Sequence, residues 1–332
     1  MRVAIVFPGQ GTQAAGMGRP WKGHGSWPVV DAAEHALGTP LAPLLLDAPA
    51  EQLARTREAQ LAVLTTSLVA WDAAQPAIES RHEIVGFAGH SLGQVTALIA
   101  SGAMSIDDGV RFARHRAELT QAAADAHPGR MAALVGASIE QAQGACSAAP
   151  DAAWVANDNA PGQVVIAGTP DGIEAATAHA KTLGVRKALP LPVGGAFHTP
   201  LMRDACAGLE AMLASVALAD PAQPIVSNDD AEPYATADGW PARLVRHPTV
   251  TVQWRASMLA LVEQLGAQAF IEVGHGSMIA GVAKRTVPST PVIGIAAPSD
   301  IELLTASDAP RDTDTSNASD TSDASNEGSS PS

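Results

Sequence analysis

The sequence has little cysteine and few aromatic residues, and it shows no recognisable metal-binding pattern. Its 332 residues include only Cys146 and Cys206, which are too few for a disulfide framework and are expected to be reduced thiols. Aromatic residues make up 4% of the chain, so aliphatic side chains must supply most of the core packing. Because no CxxC, HExxH or histidine and cysteine cluster occurs, we predict no metal site.

Positive charge is also scarce, with 20 Lys and Arg against 34 Asp and Glu and a net charge of -14. We therefore expect no general nucleic-acid binder, although a local basic cleft can still attract an anionic ligand. The N-terminal apolar run is too short for a signal peptide, and no stretch reaches the roughly 18 to 20 apolar residues of a membrane span. The expectation is a soluble, cytoplasmic protein with no membrane partner.

Apolar residues make up 46% of the chain, which is enough to fill a large core. Strand-like and helical segments alternate, as in an α/β domain, and the apolar spacing predicts helices over 51–71 and 252–265. The order β-α-β-β-α-β within 126–193 is the ferredoxin-like pattern. We predict a discontinuous catalytic domain at 1–125 and 194–305, an inserted subdomain at 126–193, and a disordered acidic tail at 306–332.

The strongest local signal is Gly89-His-Ser-Leu-Gly93, which lies between a short apolar run and an apolar helix. This G-x-S-x-G arrangement is typical of a nucleophile elbow, whose glycines permit a sharp turn that lifts the serine hydroxyl clear of the sheet. The following backbone N–H groups then face the reacting carbonyl, and the helix N-terminus favours developing negative charge. A chance match in a chain rich in alanine and glycine is the alternative, and the placement favours a nucleophilic Ser91.

A serine nucleophile needs a base, and the chain has ten histidines. His198 lies in Gly194-Gly-Ala-Phe-His-Thr-Pro200, a loop between a predicted strand and helix, from which it can point into a cleft. His247 and His275 also lie in loops and stay open as alternatives. No acidic residue between Ser91 and His198 has a convincing strand-end context. This favours a dyad in which a main-chain carbonyl orients His198.

Seven segments together resemble one known family. They are Phe7-Pro-Gly-Gln-Gly-Thr-Gln13, Gly89-His-Ser-Leu-Gly93, Arg116, Asn159-Ala-Pro-Gly-Gln-Val-Val-Ile-Ala-Gly168, Phe197-His198, Val252-Gln-Trp254 and Glu272-Val-Gly-His-Gly276. In their order and separations, from about Val3 to Ile295, the chain resembles the malonyl-CoA:acyl carrier protein transacylase family, including polyketide-type acyltransferases. With the elbow, this predicts an α/β-hydrolase-like large domain that carries the ferredoxin-like subdomain.

The resemblance implies a role for each matching catalytic residue. Ser91 is the nucleophile and His198 is the general base and acid. The backbone N–H groups of Gln10 and Leu92 form the oxyanion hole, and Gln253 orients His198 through its main-chain carbonyl. The alternatives are an ordinary strand-ending turn at Gln10 and a polar surface position in a helix for Gln253.

The resemblance also assigns substrate contacts to Arg116, Asn159 and Phe197. Arg116 is expected to pair with the free carboxylate of malonate, because a planar guanidinium makes two charge-assisted bonds to a carboxylate. An exposed arginine in a basic helical stretch is the alternative. Ala196-Phe197-His198 resembles the signature of malonyl-selective polyketide acyltransferases. A bulky Phe197 is expected to crowd an α-methyl branch, unless it simply packs under the loop.

Two basic residues, Arg186 and Lys187, fall on the last strand of the inserted subdomain. We expect them to steer the acidic carrier protein towards the site, and an ordinary solvated strand edge is the alternative. The implied partners are acyl carrier protein and malonyl-CoA, with phosphopantetheine on the carrier, no permanently bound cofactor and a monomeric enzyme.

The expected function is ping-pong transfer of malonyl from malonyl-CoA to acyl carrier protein through a malonyl-Ser91 ester, for fatty-acid or polyketide synthesis. Three alternatives stay open at this point. They are a trans-acting polyketide synthase acyltransferase with another acyl specificity, a serine esterase or thioesterase, and a non-catalytic module that binds carrier protein.

Overall fold

A computed structural model of the chain describes residues 1–302 and Leu304. The predicted acidic tail at 306–332 lies outside the described residues. The strands are β1 (Arg2–Phe7), β2 (Glu83–Gly89), β3 (Arg130–Val135), β4 (Ala153–Ala160), β5 (Gln163–Gly168), β6 (Lys187–Pro190), β7 (Ile225–Val226), β8 (Pro233–Tyr234), β9 (Ala269–Val273) and β10 (Val292–Ile295).

The helices alternate with these strands through most of the chain. They are α1 (Pro28–Leu37), α2 (Ala42–Leu46), α3 (Ala50–Leu53), α4 (Thr56–Glu79), α5 (Gly93–Ala100), α6 (Ile106–Ala126), α7 (Ile139–Cys146), α8 (Pro170–Thr182), α9 (Asp204–Leu213), α10 (Trp240–Arg246), α11 (Trp254–Glu263) and α12 (Met278–Thr286). Short 3-10 turns lie at Arg19–Trp21, Pro200–Met202, His247–Thr249 and Pro298–Glu302.

The larger sheet has the strand order β10-β9-β1-β2-β7-β8, and every neighbouring pair except β7 with β8 is parallel. In β1, all residues after Arg2 are fully buried, as expected for a parallel strand covered on both faces. Phe7 at the end of β1 pairs with Gly89 at the end of β2. The two loops that follow therefore emerge side by side, at the carboxyl edge where open α/β sheets hold ligands.

The smaller sheet has the order β4-β5-β3-β6 and is antiparallel throughout. Helices α7 and α8 pack on one of its faces, through a core that includes Leu134, Ile166 and Ala176. This is the ferredoxin-like arrangement, and its strands fall between Arg130 and Pro190, within the range predicted for the inserted subdomain. The α/β fold class with this insertion is therefore confirmed.

The predicted helix over 51–71 is two helices, because Arg55 has an extended backbone and separates α3 from α4. Helix α4 is also long and apolar enough to cross a membrane by length and composition, so the expectation that no such stretch exists is wrong by that test. However, 72% of its apolar window is buried inside the protein. Its burial is that of a core helix rather than of a membrane span.

The segment before α11 joins the two sheets. The predicted helix over 252–265 begins only at Trp254, because Val252 uses its backbone to bridge β4. The Asp158 N–H donates to the Val252 carbonyl at 3.0 Å, and the Val252 N–H donates to the Ala156 carbonyl at 2.9 Å. Beside this bridge, Arg255 contacts the buried Asp158 carboxylate through Nε at 2.8 Å and Nη2 at 2.7 Å.

We expect Arg255→Ala to lower the free energy of unfolding by about 2 kcal/mol, because it leaves the buried Asp158 carboxylate without its cation. Urea unfolding measures the change. In the double variant Asp158→Ala with Arg255→Ala, no unpaired charge remains. Its loss of unfolding free energy should therefore be smaller than the sum of the losses in the two single variants. Strictly additive losses would contradict a direct coupling across this joint.

Candidate active site

The backbone at Ser91 adopts the left-handed conformation, with φ of 51°. This conformation is uncommon for residues other than glycine, and the surrounding chain has to stabilise it. A Cβ at Gly89 would overlap the backbone of Gly93, and a Cβ at Gly93 would overlap the Phe7 carbonyl. The glycines of the motif therefore allow the turn to close tightly against the end of β1, as a nucleophile elbow requires.

Ser91 and His198 form a hydrogen-bonded pair, with 2.8 Å between Ser91 Oγ and His198 Nε2. On the other side of the ring, His198 Nδ1 lies 3.1 Å from the His247 carbonyl and 3.2 Å from the Val250 carbonyl. Carbonyl oxygens only accept, so Nδ1 carries the proton and Nε2 is free to accept from the serine hydroxyl. Of the histidines that the sequence left open, only His198 reaches Ser91 within the described residues.

The structure does not place the Gln253 carbonyl at His198, where the family resemblance had implied it. Gln253 precedes the first residue of α11, and its carbonyl accepts from the backbone N–H and the hydroxyl of Ser257, each at 2.9 Å. A carbonyl at this position is used by the first helical turn. The main-chain carbonyls of His247 and Val250 take the place of an acid instead.

Two backbone N–H groups near Ser91 donate to no other group. In residues 1–302, neither the Gln10 nor the Leu92 amide forms a hydrogen bond. The Ser91 amide is different, because it donates to Asn228 Oδ1 at 2.8 Å. The free donors are thus the two that the family resemblance implies, and both follow strands that end side by side.

Arg116 on α6 is 5% exposed and points at Ser91. Its Nη2 donates to Ser91 Oγ at 3.2 Å, and its Nη1 donates to Gln60 Oε1 at 2.8 Å. It makes no ion pair with any acid in the part of the chain that the structure describes, and its Nε has no partner there. Burial lowers the pKa of Arg116 to about 10, which is still a cation at neutral pH. A buried guanidinium without a carboxylate is suited to receive one from a ligand.

Three buried imidazoles surround this cation. Burial is the main cause that lowers the pKa of His198 to about 3, the Arg116 cation and proximity to His90 lower it further, and the two carbonyls act in the opposite direction. Burial also lowers the pKa of His90 and, more strongly, that of His247. The His247 ring lies 5.3 Å from the His198 ring, and neither of its nitrogens has a hydrogen-bond partner within residues 1–302. His198 is therefore neutral at physiological pH, and its Nε2 can accept a hydrogen bond from the Ser91 hydroxyl.

The remaining predicted residues lie at different distances from this centre. Asn159 is buried, and its Oδ1 is 2.8 Å from His90 Nε2, so it holds the neighbour of the nucleophile. Phe197 is half-buried and packs against the cluster of Ala123, Ala124 and Met202. The contacts of Asn159 and Phe197 with substrate stay predictions.

Lys187 is exposed at the start of the edge strand β6 of the smaller sheet, and Arg186, which the sequence placed on this strand, is exposed just before it. The exposed side chains of Val135 and Leu189 lie on the same part of this sheet. A cavity of about 720 Å³ lies on the α8 side of this subdomain and is lined by residues such as Arg130, Thr177 and Lys181. None of its lining residues belongs to the Ser91 centre, so the dyad rather than the cavity identifies the candidate site.

Sequence reasoning missed Gln60, Asn228 and the two carbonyls that accept from His198 Nδ1. Gln60 is a buried amide in α4, where the other buried polar side chains are only the small hydroxyls of threonine and serine, and this was a usable signal for a functional contact. Asn228 follows a serine and precedes two aspartates, a composition that indicates only a turn.

The three buried histidines predict a loss of stability in acid. His90, His198 and His247 stay neutral in the folded protein, whereas the unfolded chain takes up protons below the ordinary pKa of 6.5. The unfolded state then binds more protons, so the free energy of unfolding falls as pH drops from 6.5 towards about 3, where His198 titrates. A histidine that stays neutral in the folded protein contributes up to about 1.4 kcal/mol per pH unit below 6.5.

Urea unfolding at about pH 7.5 and about pH 5.5 measures this effect. The variant His247→Leu should show a smaller difference between the two pH values, because it removes one of the groups that titrate only when unfolded. An unchanged difference in this variant would contradict a neutral, buried His247.

Comparison with known proteins agrees with this geometry. The model of the acyl transferase domain family matches residues 4–316. The chain is 34% identical over 307 residues to the malonyl CoA-acyl carrier protein transacylase of Bacillus subtilis, covering 91% of this chain and 96% of that protein. It is 35% identical to the protein of the same name from Escherichia coli K12, covering 89% and 96%.

Solved structures show the same similarity. The acyl-carrier-protein S-malonyltransferase of Burkholderia pseudomallei superposes with a TM-score of 0.87 at 34% identity, over 92% of this chain and all of that one. A malonyl-transacylase solved in complex with a type II polyketide synthase acyl-carrier protein gives a TM-score of 0.87 at 29% identity, over 93% and 100%. The chain therefore belongs to the malonyl-CoA:acyl carrier protein transacylase family of acyltransferases.

Proposed function

We propose that this protein transfers the malonyl group from malonyl-CoA to the phosphopantetheine thiol of an acyl carrier protein, through a malonyl-Ser91 ester. The observation that carries the proposal is the environment of Ser91 Oγ. It lies 2.8 Å from a neutral imidazole and 3.2 Å from a buried guanidinium that has no acidic partner among the described residues. Such a site activates a nucleophile and holds a carboxylate beside it.

In the first half-reaction, Ser91 Oγ attacks the malonyl thioester carbon while His198 Nε2 takes its proton. The negative charge that develops on the carbonyl oxygen is stabilised by the amides of Gln10 and Leu92. When the carbon–sulfur bond breaks, His198 returns its proton to the sulfur of coenzyme A. The products are malonyl-Ser91 and free coenzyme A, and no redox step or bound cofactor is needed.

In the second half-reaction, the phosphopantetheine thiol attacks the malonyl-Ser91 ester. His198 takes the proton of the thiol and then returns it to Ser91 Oγ as the ester bond breaks. Throughout, Arg116 holds the malonyl carboxylate, which fixes the acyl group for both attacks. His198 remains in the required tautomer because two carbonyls hold its Nδ1 proton, as an aspartate does in a triad.

The curated relatives are named for acyl carrier protein, and one solved neighbour is in complex with a type II polyketide synthase carrier, so the carrier of a fatty-acid or a polyketide pathway is a suitable partner. We further propose a cytoplasmic, monomeric enzyme with no nucleic-acid or membrane partner. The net charge of -14 suits the absence of nucleic acid.

Intact-mass measurement tests the proposed reaction directly. Wild type incubated with malonyl-CoA should gain one malonyl group, and later addition of holo acyl carrier protein should remove it. Ser91→Ala should gain nothing. Release of free malonate with no acylated carrier protein would instead identify a hydrolase.

Arg116→Ala in the same assay should slow malonyl loading by about 10²-fold or more, because it removes charge-assisted bonds to the carboxylate. Loading from acetyl-CoA, which lacks the carboxylate, should slow far less in this variant. The control is Arg111→Ala on the same helix, whose partly exposed side chain pairs with Asp107 and Asp108. Equal loss with both acyl groups would contradict the role of Arg116.

We propose that Phe197 restricts the site to malonyl rather than methylmalonyl. Loading from methylmalonyl-CoA should be slower by about 10-fold or more, in line with the effect of one methyl group in a confined pocket. Phe197→Ser should bring the two loading rates closer together while leaving the rate of malonyl loading close to that of wild type. Equal labelling of wild type by both esters would refute the selectivity, and Phe197 would then serve packing alone.

We propose that Arg186 and Lys187 form part of the carrier-protein contact. Both are exposed, neither forms an ion pair within residues 1–302, and electrostatic steering raises association rates with an acidic partner. The double change Arg186→Glu and Lys187→Glu should lower transfer to carrier protein, most at low salt, and leave loading by malonyl-CoA unchanged. If both half-reactions fell equally, a docking role would be unsupported.

A further inference from the structure

Asn228 is fully buried just after β7 and makes four hydrogen bonds around the nucleophile elbow. Its Oδ1 accepts from the Ser91 amide at 2.8 Å, and its Nδ2 donates to the Gly89 carbonyl at 2.9 Å. Its own amide donates to Gln94 Oε1 at 2.7 Å, and its carbonyl accepts from the Gln253 amide at 2.7 Å. Every polar group of this asparagine except one Nδ2 proton thus serves residues next to the site.

The side chain of Asn228 spans the strained part of the elbow. Ser91 has a positive φ, and its amide and the Gly89 carbonyl are the backbone groups that the sharp turn removes from regular pairing. A buried amide or carbonyl without a partner is costly, so one asparagine that satisfies both stabilises this turn over a relaxed one. Because the Ser91 amide is occupied, the Leu92 amide is the one left to face a reacting oxygen.

The backbone of Asn228 connects the same point to the base. Its carbonyl holds the Gln253 amide, three residues after Val250, whose carbonyl orients His198 at 3.2 Å. A shift of Asn228 would therefore move the nucleophile and the support of its base together.

We propose that Asn228 is a positioning residue that holds the Ser91 elbow at a fixed position relative to the segment whose Val250 carbonyl orients His198. The inference rests on the proposed function only in taking Ser91 as the nucleophile. It predicts that loss of the side chain slows the attack of Ser91 without weakening the binding of the acyl donor. A misplacement of about 1 Å at such a site lowers the rate on the order of 10²-fold.

The test compares wild type with Asn228→Ala, Asn228→Asp and the control Thr169→Ala. The control removes the N-cap of α8, in the smaller subdomain, and so costs stability away from Ser91. Two probes are used: malonyl-CoA, and a fluorophosphonate that labels activated serines whatever their natural substrate. Single-turnover labelling yields a maximal rate and a half-saturating concentration for each variant.

Asn228→Ala should label about 10²-fold more slowly with both probes, with its half-saturating malonyl-CoA concentration within about threefold of wild type. The control should keep the wild-type rate. Asn228→Asp retains the acceptor for Ser91 and, once protonated, also the donor for Gly89. Its rate relative to wild type should therefore rise as pH falls from about 8 to about 6, and that of Asn228→Ala should not.

A wild-type rate in Asn228→Ala would overturn the inference. So would a loss confined to donor binding, or an Asn228→Asp variant that matches Asn228→Ala at every pH. If wild type reacts with the fluorophosphonate but not with malonyl-CoA, the proposed substrate is wrong, while the fluorophosphonate rates still decide the role of Asn228. If neither probe labels Ser91, both proposals fail.

Discussion

The left-handed turn at Ser91 is the constraint on which the rest of the site depends. It exists because Gly89 and Gly93 allow close contact with the end of β1 and because Asn228 satisfies the backbone groups that the turn exposes. Once the turn is held, Ser91 Oγ meets both His198 and Arg116. His198 also has a positive φ, of 62°, so both members of the dyad store backbone strain that the surrounding structure must maintain.

Local patterns in the sequence predicted the parts of the site that are built locally. The elbow has a fixed spacing of glycines around Ser91, and His198 lies in a loop rich in small residues, so both were identifiable. Arg116 is different, because the helical stretch also offers Arg111 and Arg114. The structure separates them: Arg111 pairs with acids at the surface and Arg114 bonds the Leu37 carbonyl, whereas Arg116 is buried beside Ser91.

The contacts that sequence could not supply come from main-chain groups and from distant segments. Any residue has a carbonyl, so nothing in the sequence distinguishes His247 and Val250 from Gln253 as supports for His198. Which carbonyl reaches His198 depends on where α11 begins, and the pairing of Val252 with β4 sets that starting point. The overall fold could be predicted from the sequence because strands and helices alternate in a repeated pattern. The exact helix ends could not, because they follow from such long-range bonds.

The site holds a buried positive charge, and the substrate supplies the negative charge that balances it. Arg116 and three imidazoles lie together in the interior, and none of them has an acidic partner among residues 1–302. The same positive environment that keeps His198 neutral opposes the imidazolium of the proposed mechanism, in which His198 takes the serine proton. A carboxylate bound to Arg116 cancels part of that charge and thereby stabilises the imidazolium. The carboxylate of a malonyl donor is thus both the group that Arg116 recognises and a source of the negative charge that the acidic member of a triad would provide. An acetyl donor has no such carboxylate.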